Sequence, residues 1–344
     1  MLDLLSVPQQ RRESIERLAQ ELRAGRSVAI STHINADGDG CGSETALSRL
    51  LGQLGIRSRI VNPTPWPEMY RFLLGDDVRD ASDQGAKALA ESDVLIILDI
   101  SDVKRLGVLA EAVRRLKIPK LVIDHHLPSD EPPSTLMVAD TTACATGELI
   151  YDFAACLDLK ITPDIARSLY VALLTDTGGF RFSNTTARCL AVAGQLIASG
   201  VEPEEMYGRL YASMPVGRLH LLRDALATLE VDPEYGISWI SVAAGAAEEY
   251  GLKSEDLEGI AEHPRSIGGT RLALFFRDLG HDKVKVSFRS TGDVDVNKFA
   301  KLFGGGGHAR AAGALIDGAL ESVRHKVVAA AREFLRAEDK EGVA

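Results

Sequence analysis

The chain has 344 residues, more than one hydrophobic core usually serves, so two domains are expected. Hydrophobic residues make up 45% and charged residues 26%, as in soluble globular proteins, and no apolar run is long enough to cross a bilayer. The formal net charge of −10 argues against a broad binding surface for long nucleic acid, but a short anionic substrate is compatible with it if local cations or bound metals offset the repulsion.

The amino terminus and the cysteines restrict the class further. Residues 1–5 have neither the basic start nor the long apolar stretch of a signal peptide, so a cytoplasmic location is expected. Four cysteines stand at positions 41, 144, 156 and 189, with no close pair of metal-ligand spacing. They indicate neither a zinc site nor a disulfide framework, and each is expected to be a small buried hydrophobe.

The first half of the chain alternates between strand and helix patterns. Residues 94–98 form a continuous apolar run, typical of a strand that is buried on both faces of a parallel sheet. Further strands are predicted at 27–32 and 120–123, and helices at 43–54 and 108–116. This strand–helix–strand order predicts a parallel α/β domain.

The second half predicts a helical stretch and then a different domain. Residues 147–226 have a largely helical pattern, followed by predicted strands at 237–242, 271–276 and 283–289 and a closing helix at 320–335. A second, smaller α/β domain is therefore expected. We place the first domain at 1–195, a helical connector at 196–229 and the second domain at 230–340.

Histidine and aspartate residues follow all three predicted strands of the first domain. The carboxyl edge of an open α/β sheet is where ligands bind, so we expect these side chains to meet there. A further acid, in the segment Thr175-Asp176-Thr177-Gly178, ends an apolar helix pattern. Burying so many carboxylates together is costly unless cations compensate them, and two divalent ions are the simplest solution. The residues are His33, Asp37, Asp39, Asp99, Asp124, His125, His126 and Asp176.

Two ions at such a site imply phosphate-ester chemistry. A bridging carboxylate can hold them roughly 3.5–4 Å apart, with a water between them acidified to hydroxide. The same ions would accept phosphate oxygens and stabilise the charge of the transition state. A mixed imidazole and carboxylate set favours Mn²⁺, whereas Mg²⁺ prefers oxygen ligands alone and zinc tends toward fewer ligands. Mg²⁺ and Co²⁺ stay open as alternatives.

The last third contains a second signature. Residues 283–289 alternate strictly, so Val284, Val286 and Phe288 are expected to face a core. Four consecutive glycines at 304–307 follow a predicted helix at 297–302, although one glycine suffices to end a helix. The run therefore indicates a backbone that approaches a ligand closely and presents amide groups to an anion.

In combination these motifs closely resemble the DHH phosphoesterase superfamily, in the subfamily with a DHHA1 carboxyl-terminal domain. The resemblance covers nearly the whole chain. It implies a parallel-sheet DHH domain that binds metal, a helical connector and a smaller α/β DHHA1 domain that binds substrate. The two domains are expected to form a clamp.

The resemblance also implies roles for individual residues. His126 is expected to contact the phosphate or the attacking water, and Asp124 to orient a metal ligand. Asp99 bridges the two ions, which makes it a catalytic residue together with His126. One ion is expected at His33, Asp37 and Asp99, the other at Asp39, Asp99, His125 and Asp176. Substrate contacts are expected from Arg289, Gly306, Gly307 and His308.

The nearest resemblance within the superfamily is to oligoribonucleases acting on very short RNA, which often also hydrolyse 3′-phosphoadenosine 5′-phosphate (PAP). The expected reaction is attack of metal-activated hydroxide on phosphorus. One alternative is hydrolysis of a cyclic dinucleotide such as c-di-AMP, or of its linear product; another, of a different class, is a non-catalytic nucleotide sensor. Expected partners are short RNA or mono- and dinucleotides, without long nucleic acid or membrane, and a homodimer stays open.

Overall fold

The computed structural model describes residues 3–212, 215–257, 259–307 and 309–341. The chain divides into two compact units, Met1–Ala212 and Ser213–Ala344. Both contain a sheet with helices, as the sequence predicts. Within the described residues, no helix is both long and apolar enough to span a membrane.

The first unit is built on a parallel sheet. Its strands are β1 (Ser27–Ser31), β2 (Arg57–Ile60), β3 (Val94–Leu98), β4 (Lys120–Asp124) and β5 (Met137–Ala139). They lie in the order β2-β1-β3-β4-β5, and all neighbouring pairs are parallel. Every residue of β3 is buried, which explains the continuous apolar run. Because the strand order reverses between β1 and β3, their carboxyl ends flank the usual ligand-binding crevice of this topology.

Helices cover the sheet of the first unit. They are α1 (Gln9–Ala19), α2 (Gly38–Gln53), α3 (Ala86–Ala90), α4 (Ala110–Arg115), α5 (Thr146–Cys156), α6 (Pro163–Asp176), α7 (Ala187–Ala198) and α8 (Pro203–Tyr211). Helices α2 and α6 approach closely at Gly42, where an added Cβ would lie 2.4 Å from the carbonyl oxygen of Ser168. Short 3-10 segments lie at Glu68–Leu73, Ser82–Gln84 and Val103–Leu109.

Two helices of the first unit differ from the predicted bounds. Helix α2 begins at Gly38 rather than at 43, because the Asp37 carboxylate accepts hydrogen bonds from the amides of Asp39 and Gly40, both at 3.0 Å. The predicted helix at 108–116 is a 3-10 segment followed by α4. Gly107, with φ of 51°, interrupts this 3-10 segment (Val103–Leu109) one residue before the predicted helix begins.

The second unit contains a mixed sheet in the order β10-β11-β9-β8-β7-β6. Strands β7 and β8 are parallel and the other neighbours are antiparallel. In β9 the side chains of Val284, Val286 and Phe288 are fully buried, which confirms the predicted alternation. The strands are β6 (Glu230–Asp232), β7 (Ile237–Val242), β8 (Leu272–Asp278), β9 (Lys283–Ser290), β10 (Gly306–Gly307) and β11 (Ala311–Asp317).

The helices of the second unit are α9 (Val216–Ala227), α10 (Ala246–Glu249), α11 (Glu262–Arg265), α12 (Val296–Lys301) and α13 (Leu320–Glu341), with a 3-10 segment at Ser254–Leu257. The boundary between the units lies inside the connector predicted at 196–229. Met206 and Leu210 of α8 pack in the core of the first unit, whereas Leu221 and Ala225 of α9 pack in the second. The two helices of that segment therefore belong to different units.

The glycine run has a packing role in addition to any ligand role. Gly304, with φ of 71°, follows the end of α12, and Gly306–Gly307 pairs with β11. An added Cβ on Gly305 would lie 2.2 Å from the carbonyl oxygen of Gly313, and one on Gly307 would lie 2.5 Å from that of Ala311. The close approach of two backbones therefore accounts for glycine at both positions.

Candidate metal centre

The segment after β1 places an imidazole against two acids. His33 is 5% exposed, and its Nδ1 lies 2.9 Å from the carbonyl oxygen of Ile34, which orients the ring. Its Nε2 lies 3.3 Å from Oδ2 of Asp99 and 3.7 Å from Oδ2 of Asp37. Asp37 caps α2 with Oδ1, so its two oxygens serve different partners.

Asp99 follows β3 and lies between His33 on one side and His125 and His126 on the other. Its backbone is left-handed, with φ of 61°, a conformation that aspartate tolerates better than most residues. Oδ2 faces His33, whereas Oδ1 lies 3.6 Å from Nε2 of His125 and 3.4 Å from Nδ1 of His126. Oδ1 also accepts a hydrogen bond from Oγ1 of Thr146 at 3.1 Å. A carboxylate with its two oxygens facing different imidazoles is suited to bridging two ions.

Asp39 connects the first turn of α2 to the beginning of α5. Its carboxylate accepts hydrogen bonds from the amides of Thr146 at 2.6 Å and Gly147 at 2.9 Å, and from Oγ of Ser43 at 3.1 Å. Its Oδ2 lies 3.8 Å from Nε2 of His125. The amino terminus of α5 therefore stabilises a carboxylate that is 1% exposed.

His125 and Asp176 complete the second group. Nε2 of His125 lies 3.6 Å from Oδ2 of Asp176, which ends α6. The Nδ1 of His125 lies 3.3 Å from the carbonyl oxygen of Ala143, which orients the ring. Asn184 donates to Oδ2 of Asp176 at 3.2 Å and to the carbonyl oxygen of Cys144 at 2.8 Å, and thereby ties the carboxylate to the loop before α5.

Asp124 contacts one of the two histidines that follow it in the chain. Its Oδ1 lies 2.8 Å from Nδ1 of His126, so it orients this residue, which is expected at the substrate, and not His125, which is expected to bind an ion. A backbone carbonyl performs the orienting task for His125. Burial lowers the pKa of His126, but the hydrogen bond to Asp124 and the charge of Asp99 raise it above its usual value.

The pKa shifts reflect crowded negative charge. Burial and the neighbouring acids Asp99 and Asp176 raise the pKa of Asp39 well above its usual value. Burial, opposed in part by His125, raises the pKa of Asp176 to about 6. Burial lowers the pKa of His33, but the carboxylates of Asp37 and Asp99 outweigh it and raise the value to about 10. Positive charge therefore stabilises this site strongly.

The donor atoms fit divalent cations. Nε2 of both His33 and His125 is buried without a hydrogen-bond partner, although carboxylate oxygens lie within 4 Å. Buried polar atoms are nearly always satisfied, so these two nitrogens require another partner. Within the described residues, three groups offer ligand atoms within 4.8 Å of one another: His33 with Asp37 and Asp99, Asp39 with His125 and Asp176, and Asp99 with His125 and His126.

The predicted substrate contacts lie in the second unit. Nε of Arg289 donates to Oε1 of Glu262 at 2.9 Å, and Nη1 donates to the carbonyl oxygen of Phe288 at 3.0 Å. Gly306 and Gly307 form β10, and the amide of Gly307 donates to the side chain of Asn297 at 3.1 Å. His308 lies outside the described residues.

Sequence reasoning missed three residues of the site: Thr146, Asn184 and Arg105. Thr146 and Asn184 donate hydrogen bonds to the carboxylates of Asp99 and Asp176, and Nη1 of Arg105 donates to the carbonyl oxygen of Asp99 at 3.4 Å. The sequence signal for Thr146 is its position directly before the helical pattern predicted from residue 147. Asn184 follows no periodic pattern, because its contacts depend on the fold.

Comparison with known proteins agrees with the geometry. Residues 27–173 match the DHH family, N-terminal domain, and residues 237–337 match the DHHA1 domain. The chain is 32% identical over 329 residues to the bifunctional oligoribonuclease and PAP phosphatase NrnA of Thermus thermophilus, covering 94% of this chain and 95% of the relative. The chain belongs to the DHH family. The resemblance to DHH proteins with a DHHA1 domain is thereby confirmed.

Two further proteins are similar to this chain. The protein of the same name from Bacillus subtilis is 28% identical over 296 residues, covering 84% of this chain and 89% of the relative. The crystal structure of an exopolyphosphatase-related protein from Bacteroides fragilis superposes with a TM-score of 0.86 at 24% identity, covering 95% of this chain and 96% of that one. This structure supports the fold.

Proposed function

We propose that the chain is a phosphoesterase that uses two divalent cations to hydrolyse short oligoribonucleotides and PAP. The observation that carries the proposal is the position of Asp99 between His33 and His125, whose Nε2 atoms are buried without a hydrogen-bond partner. The names of the similar proteins, oligoribonuclease and PAP phosphatase, support the substrate class. A complete set of ligand residues disfavours a non-catalytic sensor.

The chain's residues would divide between two ions. When bound, two divalent cations supply an acidified water as the nucleophile and neutralise charge on the phosphate oxygens. The combination of imidazole and carboxylate donors suits Mn²⁺. One ion would be held by His33, Asp37 and Asp99, and the other by Asp39, Asp99, His125 and Asp176.

His126 supplies a proton at this centre in our proposal. The hydrogen bond from its Nδ1 to Asp124 fixes the ring, and the carboxylates of Asp124 and Asp99 raise its pKa against the effect of burial. A protonated imidazole can donate to a phosphate oxygen or to the leaving group. His126 therefore acts on the substrate rather than as a required metal ligand.

The second unit would bind the nucleotide. Glu262 and the carbonyl oxygen of Phe288 fix the guanidinium of Arg289, which lowers the entropic cost of binding a phosphate. Gly306, Gly307 and His308 complete the proposed contacts. Binding energy from these remote groups would orient the scissile phosphate.

Product analysis with a panel of substrates tests the proposal. Metal-free protein is reloaded with Mn²⁺, Mg²⁺ or Co²⁺ and incubated with an RNA dinucleotide, PAP, a cyclic dinucleotide and a long RNA. We expect the dinucleotide and PAP to be hydrolysed, fastest with Mn²⁺, and the cyclic dinucleotide and long RNA to react slowly. The proposal fails if the metal-loaded protein leaves the dinucleotide and PAP intact, or if metal-free protein is fully active.

A further inference from the structure

Arg105 lies beside the proposed metal centre. It is hydrogen-bonded to the segment that follows β1 and to the segment that follows β3. It belongs to the 3-10 segment Val103–Leu109. Nη1 donates to the carbonyl oxygen of Asp99 at 3.4 Å, and the carbonyl oxygen of Arg105 accepts from the amide of Ile34 at 2.9 Å. Ile34 directly follows His33, so the arginine is tied to the segments that carry two proposed ligands.

The backbone of this segment is held in place. Asp102 caps it by accepting from the amide of Lys104 at 2.8 Å, and Leu106 is fully buried. Gly107 packs so closely against Ile34 that an added Cβ would lie 2.5 Å from its Cγ2. Arg105 therefore projects from a fixed backbone, as residues that recognise a ligand usually do.

Arg105 makes no ion pair within the part of the chain that the structure describes, although its Nη1 lies beside the backbone of the proposed ligand Asp99. By contrast, Arg11 and Arg188 each bind two or more carboxylates in the same unit. A guanidinium has five N–H donors, and the single contact to the Asp99 carbonyl oxygen is long. A half-buried arginine with unused donors at an acidic site indicates that an anionic ligand is its partner.

The charge balance of the centre favours a further cation in addition to the two ions and a protonated His126. Two divalent ions would carry four positive charges, whereas the site contains five carboxylates: Asp37, Asp39, Asp99, Asp124 and Asp176. A phosphate ester and the attacking water bring further negative charge, which increases on the equatorial oxygens in the transition state. The metals alone therefore leave the reacting phosphate incompletely neutralised.

We propose that Arg105 binds a non-bridging oxygen of the substrate phosphate at the metal centre. This inference rests on the proposed function, because it takes the phosphate to lie at the two ions. The planar guanidinium fork matches two oxygens of a phosphate, whereas a lysine ammonium would contact them as a point charge. Arg105 serves phosphodiesters and phosphomonoesters alike, since both offer non-bridging oxygens.

Binding of inorganic phosphate tests this role without turnover. Manganese-loaded parent protein, Arg105→Ala and Arg105→Lys are titrated with phosphate in a calorimeter, after metal content has been measured. Arg114→Ala is the matched control, because Arg114 lies in the next helix and pairs with Glu131 at 2.7 Å. We expect unchanged manganese content in all variants, phosphate affinity about 10- to 100-fold weaker in Arg105→Ala, an intermediate loss in Arg105→Lys and parental affinity in the control.

Kinetics on an RNA dinucleotide provide a second readout. kcat/KM should fall by about the same factor in Arg105→Ala, and added guanidinium ion should restore part of the rate in this variant alone. Parental phosphate affinity in Arg105→Ala would overturn the proposal. Loss of manganese from that variant would also overturn it, because Arg105 would then act on the metal ligands. If the parent cleaves no nucleotide, the proposed function fails, whereas the phosphate titration still decides the role of Arg105.

Discussion

Replacing Asp99 by asparagine tests the two-metal centre most sharply. Asparagine keeps the size of the side chain and tolerates the left-handed backbone at φ of 61°, so the fold should be retained. The change removes one negative charge from a side chain that faces His33 with Oδ2 and His125 with Oδ1. Both proposed ion sites are therefore weakened by one substitution.

The expected magnitude follows from the two contacts. Each charge-assisted contact is worth about 1.5–3 kcal/mol, so two additive losses correspond to roughly 10²- to 10⁴-fold in kcat/KM. Manganese at about one hundred times its dissociation constant should stabilise the parent by about 2.7 kcal/mol per site. For a unit of this size, that stabilisation raises Tm by roughly 5–11 °C per site. Asp99→Asn should lose most of this increase.

Thermal unfolding with and without manganese, elemental analysis and dinucleotide hydrolysis measure these effects together. Asp102→Asn is the matched control, because it removes the same charge three residues along, at an exposed turn whose carboxylate accepts from the amide of Lys104. The control should keep the manganese-dependent rise in Tm and the activity. If Asp99→Asn retains both ions and the full rise in Tm, a bridging role for Asp99 is wrong.

Further substitutions separate the other roles. His125→Ala should lose manganese from one site, whereas His126→Ala should keep both ions and lose kcat; equal metal loss in calorimetric titrations would contradict this division. Arg289→Ala should spare hydrolysis of bis-p-nitrophenyl phosphate and lower kcat/KM for a dinucleotide by about 10- to 100-fold, and a parental rate would exclude it as a nucleotide contact. Arg11→Met should lower the free energy of unfolding by about 3–5 kcal/mol in urea titrations, while Arg17→Met, on the exposed face of the same helix, should leave it unchanged.

The sequence predicts the candidate centre well where a proposed ligand lies at the carboxyl end of a strand. A parallel sheet brings the carboxyl ends of its strands to one edge, and β1, β3 and β4 end directly before or within the motif residues. The periodic patterns therefore suffice to bring His33, Asp99 and His125 together. Asp176 is predictable for a similar reason, because an apolar helix pattern stops there.

The orienting contacts could not be predicted, because they join residues far apart in the chain. Asp39 binds the amides of Thr146 and Gly147, more than one hundred residues away, and Asn184 reaches Asp176 through an irregular loop. Neither contact leaves a periodic pattern. The packing role of Gly305 is hidden in the same way, since it depends on the approach of β11.

A buried network of arginine–carboxylate ion pairs packs against the loop that precedes α5, which orients several proposed metal ligands. Arg11 in α1, 4% exposed, binds Asp140 at 2.7 Å, Glu148 at 2.8 Å and Asp152 at 2.6 Å, and Arg188 binds the last two as well. Oε2 of Glu148 also accepts from the amide of Cys144 at 3.0 Å. The network therefore fixes both ends of the loop between Asp140 and α5.

That loop supplies three of the contacts on which the centre depends. The carbonyl oxygen of Ala143 orients His125, the carbonyl oxygen of Cys144 holds Asn184, and the first amides of α5 hold Asp39. Because metal affinity depends on ligands that are held in position, we expect a substitution in this loop to weaken metal binding without replacing a proposed ligand. Helix α1 lies outside every metal motif, yet through Arg11 it constrains the loop that orients the proposed ligands His125, Asp176 and Asp39.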